Sequence, residues 1–132
     1  MIRFDPRTLG TPVYEALSEL SYKYHQDETR LKEQKNQALE LYSYLSTWGM
    51  MRLKAEEKVL SQPGKKQVIQ KYFECLQHLS GIQNLADDRG LVVLKNLRTH
   101  EYLGLTGLGL ALANEFSFWA TAVYQDISRG EL

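Results

Sequence analysis

The spacing of the apolar residues constrains the fold of this chain most strongly. Between Val13 and Tyr24 apolar side chains recur every three or four positions, which places them on one face of a helix. A seven-residue series then continues the pattern through Leu17, Tyr24, Leu31, Ala38 and Leu45. No stretch alternates apolar and polar residues as a half-buried strand does. The pattern predicts an all-α protein.

The first half of the chain leaves one connection open. Thr11-Pro12 has the form of a helix start, with Thr as N-cap and Pro at the first helical position, so residues 1–11 are expected to be an extended segment. Residues 25–37 are almost entirely polar. They form either the solvated middle of one long helix or the tip of a helical hairpin, and we favour two helices.

Glycine and proline residues indicate where the helices in the rest of the chain end. Pro63-Gly64 and Ser80-Gly81 predict breaks, whereas Gly49 is expected to lie inside a helix. Residues 82–88 form a short helix or a turn. The remaining helices are expected at residues 38–60, 65–79, 91–98 and 108–128. The predicted architecture is a bundle of four or five helices, with a single domain over residues 1–132.

Composition narrows the function classes. The 132 residues include 16 basic residues (lysine and arginine) and 16 acidic residues (aspartate and glutamate), so the formal net charge is zero. A zero net charge argues against binding of nucleic acid, regardless of its sequence, through overall charge. It also favours self-association. A single cysteine, Cys75, excludes an internal disulfide and suits a reducing compartment. The N-terminus lacks the apolar run of a signal peptide. We therefore expect a cytoplasmic protein.

Residues 102–125 are long enough to cross a bilayer and carry one charge, Glu115. That carboxylate lies near the middle of the segment, where an acid costs roughly 2.5–3.5 kcal/mol. Glycines crowd the first half, from Gly104 to Gly109. We interpret the segment as a turn followed by a buried helix and expect no membrane span.

The segment from Lys95 to Tyr102 is the one place where the sequence suggests chemistry. It holds two cations, an amide, an imidazole and a phenol within eight residues, Lys95, Asn96, Leu97, Arg98, Thr99, His100, Glu101 and Tyr102. Cations bind a phosphate, and an imidazole moves a proton near neutral pH. In an unbroken helix His100 would lie about 140° from Lys95. Either the helix therefore ends near Thr99, or a second subunit completes the site.

The spacing of this segment resembles the motif of the HEPN domains. Those small helical proteins carry an Arg, a spacer of four to six residues, then His, often followed by x-Tyr. Here Lys95 stands in place of the Arg, Asn96 follows it, and His100 and Tyr102 occupy the later positions. Lysine lacks the planar fork that grips two phosphate oxygens, so this departure weakens or removes the family activity unless Arg98 substitutes.

The resemblance implies metal-independent cleavage of RNA by a homodimer that pairs the motifs of two protomers. His100 would act as general acid or base and Lys95 would stabilise the phosphate, as the catalytic pair. Asn96, Arg98 and Tyr102 would bind RNA. The resemblance also implies a toxin or defence role and a nucleotidyltransferase antitoxin that modifies the tyrosine. No metal or other cofactor is expected.

The alternative belongs to another class of protein. The cations and His100 are then surface residues at a helix end, where the helix dipole favours positive charge. The chain would be a non-catalytic helical interaction subunit of a larger assembly, such as a nucleoprotein complex. Cys75 and His78 share a helix face, but no second ligand pair follows, so a metal site is disfavoured.

Overall fold

Six α-helices joined by short connections make up the computed structural model, which describes residues 5–127. In chain order they are α1 (Arg7–Lys23), α2 (Glu28–Trp48), α3 (Met50–Val59), α4 (Pro63–Ser80), α5 (Gly90–Asn96) and α6 (Thr99–Val123). Residues 5–127 contain no strand. The all-α prediction is confirmed, with six helices where four or five were expected.

The first helix begins earlier than its sequence suggested. It starts at Arg7, so the prediction of an extended segment over residues 1–11 is wrong from residue 7 onward, and its first four residues lie outside the described part. Pro12 lies inside α1 instead of opening it. Leu9 is buried in the preceding turn. The free energy gained by burying Leu9 offsets the cost of the one backbone hydrogen bond that Pro12 cannot donate.

The polar tip between the first two helices confirms the hairpin alternative. Helix α1 ends at Lys23, and Asp27 caps α2 by accepting a 3.0 Å hydrogen bond from the backbone N–H of Arg30. The polar stretch that follows is nevertheless buried at Gln34, which was expected in a solvated segment. Gln34 donates to Gln67 Oε1 at 2.9 Å and accepts from Tyr124 Oη at 2.8 Å, so its amide is satisfied inside the bundle.

Two further boundaries differ from the sequence prediction. Gly49 adopts φ of 89°, which L side chains rarely tolerate, and it separates α2 from α3 instead of lying within one helix over residues 38–60. Pro63 opens α4 as its first residue, two positions before the predicted start. Gly81, in the left-handed region at φ of 75°, ends α4 as expected.

Helix α6 is the central element of the bundle and packs against α1, α2 and α4. It runs without interruption from Thr99 to Val123, so the predicted glycine turn at residues 104–109 is wrong, as is the predicted start at residue 108. Its predicted end at Ser128 is also wrong, because α6 ends at Val123; Ser128 itself lies outside the described residues. Gly109 serves helix packing and does not form a turn. It lies inside α6, where Tyr72 Oη donates to its carbonyl oxygen at 2.8 Å. Within residues 5–127, no helix combines the length and apolar character needed to span a bilayer.

The core follows from the apolar stripes of these helices. Its largest members are fully buried aromatic and aliphatic side chains, among them Tyr72, Phe73, Phe116, Leu17, Leu41 and Leu45. Tyr72 meets Phe73 and Phe116 edge to face, at centroid distances of 5.1 and 5.7 Å. The core therefore fixes α4 against α6, and the α5–α6 junction lies at one end of this pair.

Candidate functional site

The segment singled out by the sequence lies at the junction between α5 and α6. Helix α5 ends at Asn96, the next two residues are extended, and α6 begins at Thr99. Glu101 stabilises this start, because its Oε1 accepts a 2.9 Å hydrogen bond from the backbone N–H of Arg98. The expectation that the helix ends near Thr99 is therefore confirmed, and the segment is a bend instead of one continuous helix.

The bend does not bring Lys95 and His100 together. Lys95 lines a shallow cavity of about 280 Å³ together with Met51 and Tyr102. His100 lines a different cavity, of about 430 Å³, next to Leu79. His100 and Tyr102 are two residues apart on α6 and so point about 200° apart around its axis. Within one chain, the two residues predicted to be catalytic, Lys95 on α5 and His100 on α6, therefore line different cavities.

The side chains of Lys95, Asn96 and His100 are exposed. None of the three forms a hydrogen bond or ion pair with another residue in the range 5–127. Arg98 is also exposed, and its Nε lies 3.8 Å from Glu101 Oε1. These residues can meet a solvent anion, but the fold does not aim them at one point. Such convergence is what catalysis on a single phosphate needs.

Tyr102 has a structural contact that the sequence did not reveal. Its Oη accepts a 3.3 Å hydrogen bond from the backbone N–H of Met51, in the first turn of α3. The first N–H groups of a helix have no partner within it, so the phenol caps α3 from α6. The residue predicted to bind RNA therefore joins two helices through the oxygen that an RNA contact would use.

Metal ligands do not gather in the part of the chain that the structure describes. Residues 5–127 contain no group of three or more histidine, cysteine, aspartate and glutamate side chains able to hold an ion. Cys75 is buried, which raises the pKa of its thiol to about 11 and keeps it protonated at neutral pH.

A second surface feature lies on the outward side of α6. Every exposed residue of this helix from 103 to 122 is uncharged. We call this set the α6 face; it consists of Leu103, Gly104, Gly107, Ala111, Asn114, Phe118, Thr121 and Ala122. Leu103 and Phe118 are each 64% exposed. The outer side of a helix that remains in solvent usually carries charged residues, so this composition is typical of a contact surface.

The glycines of the α6 face have no role within the chain itself. A Cβ added to Gly104 or Gly107 would meet no atom within 4 Å. By contrast, a Cβ on the buried Gly109 would lie 2.6 Å from Tyr72 Oη. Glycine inside a helix costs about 1 kcal/mol relative to alanine. The structure therefore explains Gly109 and leaves Gly104 and Gly107 to be explained by something outside the chain.

Sequence reasoning missed the α6 face because it interpreted the glycines as a turn. The available signal was the seven-residue spacing of Gly104, Ala111 and Phe118, repeated by Gly107, Asn114 and Thr121. That spacing is the one that lines up residues along a helix seam.

Comparisons with known proteins provide no family for this chain: no family model, no curated protein and no solved structure matches it.

Proposed function

We propose that this protein is a non-catalytic helical interaction subunit that joins an assembly through the α6 face. The observation that carries the proposal is the absence of charge among the exposed residues of α6 between 103 and 122. Keeping such a face in water is unfavourable, and its burial against a partner removes that cost. Phe118 and Leu103, which are largely exposed, supply the apolar anchors that protein interfaces use.

The α5–α6 junction supports this function better than catalysis. Lys95 and His100 open into different cavities, and Tyr102 is engaged in capping α3. The cations Lys95 and Arg98 are exposed, and Lys95 lines the same cavity as the apolar Leu103. Exposed charges around an apolar centre form the usual rim of a protein interface.

A charge placed on the α6 face tests the proposal. The wild-type chain, made in its own cells, is expected to elute from a sizing column in a complex larger than its 15.2 kDa mass. Ala111→Glu puts a carboxylate at the centre of the face and is expected to release the chain as a monomer. Gln70→Glu, at an exposed position of α4, is the matched control and should leave the complex intact. A wild-type chain that elutes as a monomer at every loading concentration, or a complex that survives Ala111→Glu, would contradict the proposal.

A metal-independent RNA endonuclease of the HEPN type is the second candidate. One observation favours it: the side chains of Lys95, Asn96 and His100 are exposed and make no polar contact with other residues of the described range, as groups that act on a substrate should be. Because Lys95 and His100 face different cavities, this candidate requires Lys95 of one protomer and His100 of another at each phosphate. A toxin or defence role with an antitoxin partner belongs to this candidate alone.

Cleavage of a fluorescent RNA in the presence of a chelator tests the second candidate. The enzyme account expects cleavage by the wild-type chain that is lost in His100→Ala and in Lys95→Ala. It also expects recovery when the two variants are mixed, since one intact composite site can form from each pair. The interaction account expects no cleavage by any of the three proteins.

A further inference from the structure

The α6 face has a bulky residue and a hollow at matching distances from its centre. Phe118 lies seven residues after Ala111, and Gly104 lies seven residues before it. Each interval corresponds to about 10 Å along the helix axis and returns to nearly the same side. When two copies of α6 cross antiparallel at Ala111, the phenyl ring of each therefore stands opposite Gly104 of the other.

The hollow beside Gly104 is suited to an aromatic ring. It has a volume of about 430 Å³, and its apolar walls come from both α6 and the segment that ends α4. Those walls are Leu79, Ile82, Leu105 and Leu108. Gly104 opens one side of the hollow, and a Cβ there would point into free space. A ring in this hollow would give Gly104 a packing role that the single chain does not provide.

The charges at the two ends of α6 also match in an antiparallel pair. The exposed cation Arg98 immediately precedes the N-terminal end, with Glu101 beside it, and the exposed Lys95 lies three residues earlier on α5. The C-terminal end presents the last carbonyls of the helix and, just beyond them, the exposed carboxylate of Asp126, while the half-buried Lys35 donates to the carbonyl of Ile127. An antiparallel pair places the cationic end of each copy over the anionic end of the other. A parallel pair would put like ends together.

We propose that the partner of the α6 face is a second copy of this chain, held in an antiparallel α6–α6 pair centred on Ala111, with each Phe118 packed in the other copy's hollow at Gly104. This inference rests on the proposed function and names its partner. The face is about 30 Å long and one helix wide. That is smaller than the roughly 800 Å² per partner of a standard interface, so the dimer dissociates on dilution.

Cysteine crosslinking tests both the partner and the orientation. In this pair His100 of one copy lies opposite Ala122 of the other, whereas the two His100 residues are about 33 Å apart. A mixture of His100→Cys and Ala122→Cys chains, treated with a short bismaleimide, should give a crosslinked dimer, and either variant alone should give none. The buried Cys75 is present in every sample and serves as the internal control.

The other outcomes overturn the proposal in recognisable ways. Crosslinks in each variant alone would show a parallel pair, and a crosslink in His100→Cys alone would indicate the pairing that the nuclease candidate needs. No crosslink in any sample, across a concentration series, would exclude self-pairing. The proposed function would then stand or fall on whether Ala111→Glu still releases the chain from a larger complex.

A side-chain truncation gives a second readout. Phe118→Ala should weaken self-association by at least about tenfold, because it removes the residue that fills the partner's hollow. Tyr22→Ala removes another exposed aromatic ring, at the far end of α1, and should leave self-association unchanged. Equal effects of the two substitutions would contradict the proposal that Phe118 packs in the hollow of the other copy.

Discussion

The phenol of Tyr72 donates a 2.8 Å hydrogen bond to the carbonyl oxygen of Gly109, in the middle of α6. This contact requires glycine, since a Cβ at position 109 would lie 2.6 Å from the phenol oxygen. Two positions earlier, Gly107 has open space around it. The fold therefore requires glycine at position 109, whereas glycine at position 107 is a feature of the surface.

Substitution of these two glycines by alanine should have opposite effects. Gly109→Ala overpacks the contact with Tyr72 and should lower the free energy of unfolding by about 1–3 kcal/mol. Gly107→Ala should raise it by up to about 1 kcal/mol, because alanine is the better helix former. Urea unfolding at low protein concentration, where the chain is monomeric, measures both. Equal destabilisation by the two variants would contradict the packing described here.

A buried ion pair provides a second test of the fold. Lys54 is 2% exposed, its Nζ lies 3.0 Å from Glu57 Oε1, and it sits 4.8 Å from the ring centre of Phe73. Glu57→Gln removes the nearest counter-charge of the buried ammonium and should cost about 2–3 kcal/mol of stability. Lys54→Met removes the charge and keeps the aliphatic packing, so its effect should be close to zero. A loss in Lys54→Met as large as that in Glu57→Gln would show that the pair itself stabilises the fold.

The cap supplied by Tyr102 predicts a small effect on stability. Tyr102→Phe removes the acceptor of the Met51 N–H and should lower the free energy of unfolding by about 0.5–1 kcal/mol. Tyr22→Phe, at an 81% exposed position, is the control and should change nothing. Thermal and urea unfolding of the two variants compare them directly. No difference between them would mean that Tyr102 is free for another role, such as contact with RNA.

Burial of Cys75 predicts a loss of stability in alkaline solution. Burial raises the pKa of its thiol from 9.0 to about 11. Between these values the unfolded chain releases the thiol proton and the folded chain keeps it, so stability is complete below pH 9 and falls as pH rises towards 11. The contribution is at most about 1.4 kcal/mol per pH unit.

Cys75→Ala isolates this contribution. Burial also raises the pKa values of Tyr72 and Tyr124, so both proteins should lose stability at high pH. The wild-type curve of unfolding free energy against pH should be steeper between pH 9 and 11 than the curve of the variant. Parallel curves would show that the thiol titrates alike in the folded and unfolded chain.

The sequence was sufficient for the helical class and for the places where backbone geometry is local. Gly81 ends α4 in a left-handed conformation, as predicted, and the break between α1 and α2 before Asp27 is the alternative that the sequence favoured over one long helix. In both places the deciding interaction lies within a few residues along the chain. Apolar spacing and turn residues record such interactions directly.

The errors arose where distant residues decide the structure. The glycines of α6 were interpreted as a turn because the phenol that packs on Gly109 is 37 residues away in sequence. Gln34 was expected in solvent because its partners lie on α4 and beyond the end of α6. The separation of Lys95 from His100 depends on the two extended residues between α5 and α6, Leu97 and Arg98, and on the direction in which α6 starts after them. None of these relationships leaves a periodic signal.

Photocrosslinking from the centre of the α6 face tests most directly the claim that this surface meets another protein. An Ala111→Cys chain is labelled with benzophenone maleimide, while the buried Cys75 stays unlabelled, and is irradiated in an extract of its own cells. The same label at Gln70→Cys on α4 is the control. We predict crosslinked protein from position 111, containing a second copy of this chain by mass spectrometry, and none from position 70. No crosslink from position 111, or equal crosslinking from both positions, would contradict the account.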